Sequence, residues 1–276
     1  MIRPTDARET ESPSTMVPSH RGVLGRWGRT MVGGMAVGVA LVGWEIYGRS
    51  LESNLFIPRL SQVISALVEL AGSADLWRAY GDTLVPFAWG WGLAIVIGIP
   101  FGLLMGQSRV ATGLTMPYLA FLNALPISTL VPVVVIAFGI GLTARAAVVF
   151  LFAIVDVVLT TAAGVLYVDR ELVEMARSFG MSRARQFRRV IFPGSMPGIL
   201  AAIRVGTGRA IVGMVVMELL LVSVGVGRLV SRFRDGFRSP ELYAVVVSLA
   251  VFGLAALALV RQVELRALKW RPSQQR

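Results

Sequence analysis

The sequence predicts an all-α membrane protein with about six transmembrane helices, and three observations carry the prediction. The chain is 55% hydrophobic and 16% charged over 276 residues, whereas a soluble domain carries about 25% charged residues. With a mean hydropathy of +0.70 it has too little charge to cover itself in water. Long apolar runs recur along it, each near the ~20 residues needed to cross ~30 Å of hydrocarbon as a helix. No stretch alternates apolar and polar residues as a barrel strand would, and lipid leaves no other backbone with its hydrogen bonds satisfied.

Residues 1–29 are polar, with Pro4, Pro13, Pro18 and five arginines, and are expected to form a cytoplasmic tail to a transmembrane domain over 30–276. The first run, 31–48, has no small-residue cleavage site before Trp44 and Glu45, so it is expected to be a retained helix rather than a signal peptide. The second, 84–106, carries Gly90, Ala94, Gly98, Gly102 and Gly106 every four residues. That spacing puts them on one face, where another helix can approach closely. The third, 114–140, is punctuated by Pro117, Pro126 and Pro132. Asn123, Ser128 and Thr129 lie among those prolines and are candidates for lining a pathway, or else for helix-to-helix hydrogen bonds.

The fourth run, 146–168, contains Asp156; the fifth, 198–222, contains Glu218 and a small-residue face at Ala202, Gly206 and Ala210; the sixth is 243–260. A charged group facing lipid at a helix centre costs about 2.5–3.5 kcal/mol. Asp156 and Glu218 are therefore expected to face protein or water, either on a pathway or gate or as hydrogen-bonded helix contacts.

Net charge is +11, and its placement sets orientation. The basic segments before the first span, at 169–193 and after the sixth span fall on one side, the cytoplasm, if six spans are counted. The basic stretch 228–241 then lies outside. Its Arg228, Arg232, Arg234 and Arg238 would either concentrate an anion at the external mouth or form a solvated or partner-facing surface.

Several chemistries are excluded. Cysteine is absent and the one histidine, His20, stands alone in the polar tail, so no thiolate or histidine metal site and no catalytic cluster is expected. The single lysine, Lys269, lacks the Gly-rich loop that cradles phosphates. The chain is expected to bind no ATP and no cofactor of its own. No basic-aromatic pattern for nucleic acid is present.

The connection 169–196 is long, and its centre reads EMARSFGMSRARQFRRVIFP. Two short helices are predicted: one from about Asp169 to Phe179 stopped at Gly180, and one from Ser182 to just before Pro193, with Ser195 and Pro197 opening the fifth span. Ala176 and Gly180, four apart, share a face without bulk. Arg183, Arg185, Arg188 and Arg189 lie alongside, suited to a partner's carboxylates or to lipid phosphate.

Glu174, Met175, Ala176, Gly180, Val190, Phe192 and Pro193 resemble the EAA loop of permease subunits of binding-protein-dependent ABC importers, E-A-A, three residues, G, nine residues, I-x-L-P. Met175, Val190 and Phe192 depart mildly from it. TLVPFAWGWGLAIVIGIPFGLLMGQSR, NALPISTLVPVVVIAFGIG and MELLLVSVGVGRLV are similar to successive segments of the nitrate/sulfonate/taurine branch, so the likeness covers about 31–262. The resemblance implies the type I importer permease fold in a bacterial inner membrane with both termini cytoplasmic. It implies a second permease copy as partner, forming a homodimer, and an ATPase dimer docked on the 169–196 loop and holding the ATP and Mg. It also implies an external binding protein delivering a small solute such as a sulfonate, taurine, nitrate or an aromatic acid. The alternative from the residues alone is a stand-alone ion-coupled transporter or channel working through Asp156 and Glu218.

Overall fold

The computed structural model describes residues 26–51, 56–221 and 224–268. His20, Lys269 and most of the 1–29 tail lie outside them. Among the described residues the chain is helical throughout, without strands: α1 Arg26–Ser50, α2 Leu60–Ala71, α3 Ala74–Gln107, α4 Arg109–Ala124, a 3-10 turn Ile127–Leu130, α5 Val131–Phe138, α6 Leu142–Leu166, α7 Arg170–Ser178, α8 Arg183–Gln186, a π turn Phe187–Ile191, α9 Phe192–Leu221, α10 Gly225–Asp235 and α11 Ser239–Ala267. Helices α3, α6, α8 to α9 taken together, and α11 are each long and apolar enough to cross a membrane; α1 contains the run 31–48.

The helices begin and end where side chains satisfy their free backbone groups. Ser73 caps α3 by accepting from the Leu76 N–H, and Ser108 ends α3 and caps α4 by accepting from the Ala111 N–H. The 114–140 run does not form one straight span. Its two halves, Arg109–Ala124 and Ile127–Phe138, are bent by 86°. Pro126 has no N–H to continue α4, and the 3-10 turn after it is closed by the Thr129 N–H and hydroxyl, both donating to the Pro126 carbonyl at 2.8 Å.

Helix α6 is the centre of the bundle, packed between α3 and α9. The glycine face of α3 lies on it. A Cβ on Gly90 would sit 2.3 Å from the Ala146 carbonyl oxygen, and Gly98, Gly102 and Gly106 meet Val157, Thr161 and Val165 in turn. On the other side α6 and α9 touch backbone to backbone at Gly164 and Gly198. Such close approach replaces the hydrophobic driving force that lipid does not supply. Polar cross-links add to it: the Trp91 indole N–H donates to Thr207 Oγ1 (3.0 Å, α3 to α9) and the Tyr80 hydroxyl to Ser248 Oγ (2.9 Å, α3 to α11).

Two connections differ from expectation. The basic stretch 228–241 is largely helical. In α10, Val226, Leu229, Val230 and Phe233 form a stripe buried against Leu76, Ala79 and Tyr80 of α3 and Val245 of α11. The second helix of the 169–196 connection does not stop before Pro193; α8, the π turn and α9 run on as one helix. The π turn explains the continuity: the Phe192 N–H reaches back to the Phe187 carbonyl, and this widened turn relieves the ladder just before Pro193. Ser195 consequently caps nothing. It is buried inside the helix and donates to the Phe192 carbonyl.

Candidate functional site

At one end of the bundle, α7 and α8 fold back as a hairpin. Asp169 caps α7 by accepting from the Glu171 N–H at 2.9 Å, and Glu171 adds negative charge to the first turn. The helix is closed at Gly180, whose φ is +69°. The Met181 N–H bonds back to the Ala176 carbonyl (3.1 Å) and the Gly180 N–H to the Arg177 carbonyl (2.9 Å), the paired closure that a left-handed residue permits. The hairpin is pinned internally by Gln186, buried, whose amide donates to the Val173 carbonyl at 2.7 Å.

Within this hairpin, Ala176 and Gly180 do not present one common open face. Ala176 is buried inside the hairpin, whereas the space beside Gly180 is open. What α7 exposes is a stripe of large apolar side chains, Leu172, Met175 and Phe179, at 51%, 54% and 79%. Glu174 is also exposed, Val190 and Pro193 are half-buried in the continuous helix, and the Phe192 ring packs on Phe187. Leu172 and Phe179 lie outside the family motif; their spacing from Met175, three and four residues or one helical turn to either side, is the signal that finds them. Arg183, Arg185, Arg188 and Arg189 make no ion pair among the described residues. Behind the hairpin a cavity of about 940 Å³ opens among Arg109, Glu174, Arg177, Arg183, Gly106 and Val165.

The candidate pathway residues are not gathered into one cluster. Asn123, Ser128 and Thr129 sit at the elbow between α4 and α5, Asn123 and Thr129 exposed and Ser128 half-buried. The Thr129 hydroxyl is spent on closing the elbow. Beside Ser128, Ile127 packs on the layer formed by Val131, Val148, Phe152 and Met217.

Glu218, next to Met217, points away from that elbow. It is buried at 4% and held on both oxygens: the Thr83 hydroxyl donates to Oε1 and the Gly227 N–H to Oε2 at 3.0 Å. Thr83 in turn accepts from the Val226 N–H at 3.0 Å. A Cβ on Gly225 (φ +64°) would lie 2.4 Å from Thr83 Oγ1 and 2.6 Å from Glu218 Oε1, so the turn needs glycine there for both its backbone and its space. Glu218 is thus a latch that fixes the α9–α10 turn to α3.

Asp156 has a partner that the hydropathy of the fifth run conceals. Arg209 Nε lies 3.0 Å from its Oδ2, joining α6 to α9. A second arginine of α9, Arg204, pairs with Glu264 of α11 at 3.1 Å. The arginines of the 228–241 stretch are paired as well: Arg228 and Arg232 share Asp75 (2.8 and 2.7 Å), Arg234 pairs with Asp235, and Arg238 with Glu241. Of these pairs only Arg228 and Arg232 with Asp75 join two helices, α10 to α3; the other two are local. Glu218 and Asp156 thus lie in separate contacts, the first between α9, α3 and α10, the second between α6 and α9.

Comparison with known proteins agrees with this architecture. The family described as "Binding-protein-dependent transport system inner membrane component" matches residues 98–269. The taurine transport system permease protein TauC of Escherichia coli (strain K12) is 32% identical over 256 residues, 91% of each chain. The putative aliphatic sulfonates transport permease protein SsuC of Bacillus subtilis (strain 168) is 29% identical over 88% of each chain. The formylaminopyrimidine transport permease protein ThiX of Halalkalibacterium halodurans is 26% identical over 85% of this chain and 93% of its own. Among solved structures, a chain of an amino acid ABC transporter crystallised with histidines superposes with a TM-score of 0.52 at 21% identity, covering 75% of this chain and 94% of that one, a likeness of fold alone. A family match over more than half the chain and a relative above 30% identity over nearly all of it lead to one conclusion: the chain belongs to the inner-membrane components of binding-protein-dependent ABC transport systems.

Proposed function

We propose that this permease subunit passes a small anionic solute, of the taurine, sulfonate, nitrate or aromatic-acid kind, from an external binding protein to the cytoplasm. It works as a homodimer driven by a separate ATPase dimer that holds the ATP and Mg. Both termini and the α7–α8 hairpin face the cytoplasm. The observation that carries this is the exposed stripe Leu172, Met175 and Phe179, flanked by arginines without ion-pair partners among the described residues. Apolar side chains of that size exposed beside cations, at the end of a bundle, suit a protein partner with an apolar groove and an acidic rim. The anionic class is supported by the relatives named for taurine and sulfonates. ThiX keeps a neutral pyrimidine as the competing substrate class.

Co-purification with the cognate ATPase subunit tests the docking surface. Wild type retains the ATPase, and Met175→Ala/Phe179→Ala releases it with the membrane part still folded. Reconstituted with the binding protein, wild type accumulates labelled taurine or an alkanesulfonate only with ATP. Concentrative uptake by the permease without any ATPase subunit would refute the proposal.

A further inference from the structure

The Asp156–Arg209 pair sits at an unusual depth. Counting 1.5 Å per residue along α6, Leu142–Leu166, Asp156 lies about 21 Å from one end and about 15 Å from the other. That is near the middle of the hydrocarbon. Yet the pair is not enclosed: the Arg209 side chain is 54% exposed and that of Asp156 22%. Arg209 shares its face of α9 with Val205 and Val212, both exposed, one turn to either side. On α6, one turn from Asp156, stands Thr160, half-buried.

An exposed guanidinium cannot face lipid tails at that depth without a large cost, so this face must meet water or protein. Arg209 also holds more donors than it uses. Its Nε forms an ion pair with Asp156 Oδ2 at 3.0 Å, and no other contact to the guanidinium is made by a described residue. Its remaining N–H groups form the planar fork that matches the oxygens of a carboxylate, nitrate or sulfonate. The glutamate latch and the Arg204–Glu264 pair each join two helices as well, but neither offers such a free fork at mid-depth on an open face.

We infer that Arg209 is an anion-binding residue at the middle of the translocation path, with Asp156 as the counter-ion that occupies it between passages. The inference rests on the importer reading and names the point at which the solute would be met inside it. Asp156 prevents the arginine from trapping its ligand. A free arginine would bind an anion and hold it, whereas one that must give up an ion pair to bind releases the anion when the pair re-forms. A single site visited in transit requires such weak, exchangeable binding.

The natural absence of cysteine allows a direct test that does not depend on knowing the substrate. Val212→Cys is introduced into the full transporter, with its ATPase and binding protein, in membrane vesicles. It is labelled with a methanethiosulfonate reagent bearing a sulfonate and, separately, with one bearing a trimethylammonium, each rate normalised to that of free cysteine. Residue 212 lies three positions from Arg209, about 5–6 Å on a helix face. An unpaired unit charge at that range in water changes the sulfonate-to-ammonium rate ratio on the order of tenfold, since the two reagents respond with opposite sign; pairing with Asp156 reduces the effect in wild type.

The expected result is labelling by both reagents with the sulfonate favoured, the preference lost or reversed in Arg209→Gln, where the Asp156 charge remains, and enlarged in Asp156→Asn. No labelling by either reagent would mean that the face is closed by lipid or protein, and would overturn the inference. Labelling with the same ratio in wild type and Arg209→Gln would show an open path in which Arg209 does not meet anions, and would overturn it equally. The importer reading stands or falls separately, on ATP-dependent uptake.

Discussion

Thr83→Val is the sharpest probe of the latch between α3 and the α9–α10 turn. The side chains have nearly the same shape, so no cavity opens, but the hydroxyl has two partners that the isostere cannot serve. It donates to Glu218 Oε1 and accepts from the Val226 N–H, and both sites are buried. A buried neutral group left unpaired costs about 1–3 kcal/mol and a charged one more. Two such losses come to roughly 3–5 kcal/mol, taking the neutral donor near the lower bound. At about 2–4 °C per kcal/mol for chains of this size, the apparent melting temperature should fall by ~6–20 °C.

Thr83→Ser keeps both hydrogen bonds and loses only a methyl group, for which about 1 kcal/mol is expected. The assay is thermal unfolding of the detergent-solubilised permease, followed by size-exclusion recovery. The double variant Thr83→Val/Glu218→Ala should be far less destabilised than the sum of the single ones, because the carboxylate is no longer there to be left unpaired. Equal melting of the Val and Ser variants, or simple additivity in the double variant, would refute the latch.

Three further outcomes are expected. Gly198→Ala places a Cβ 2.3 Å from the Gly164 Cα, a backbone atom that cannot step aside; it should cost on the order of 1–3 kcal/mol or more and abolish uptake, while Gly113→Ala, with open space around it, leaves melting and uptake unchanged. Gly180→Ala should lower stability by about 1 kcal/mol through its left-handed backbone alone, measurable as a small melting shift with ATPase binding retained. Asp75→Asn frees Arg228 and Arg232, but these are exposed pairs, so its stability loss should stay within about 1 kcal/mol and shrink further at high salt.

The helices were legible in the sequence because each apolar run is long, and the glycine spacing of 84–106 showed the packed face, since a stripe of small residues has few other uses. Less was legible where charge and apolarity mix. The stretch 228–241 presented itself as a basic loop because its arginines outnumber its neighbours. The stripe Val226, Leu229, Val230 and Phe233, spaced as one helix face, was present all the same. Arg209 was hidden by the apolar average of its run. The partners of Glu218 were not legible at all, because Thr83 is 135 residues away and no local rule pairs them. In the 169–196 segment the motif residues fall on the α7–α8 hairpin and the start of α9, but only the fold showed that Ala176 turns inward and that Leu172 and Phe179 turn out.

The continuity of α8, the π turn and α9 has a mechanical consequence. The helix spans Arg183–Leu220, 38 residues, or about 57 Å at 1.5 Å per residue. Its tightest contact with α6, at Gly198, divides it into arms of about 22 Å and 33 Å at that rise. Glycine against glycine is where two rods can roll with least obstruction, so that contact is the natural fulcrum. A shift of about 2 Å at the hairpin would therefore appear as about 3 Å near Glu218, by the ratio of the arms at the same rise. If the α7–α8 hairpin is where an ATPase pushes, as proposed, one continuous helix pivoting on two glycines would carry that push to the opposite end of the bundle.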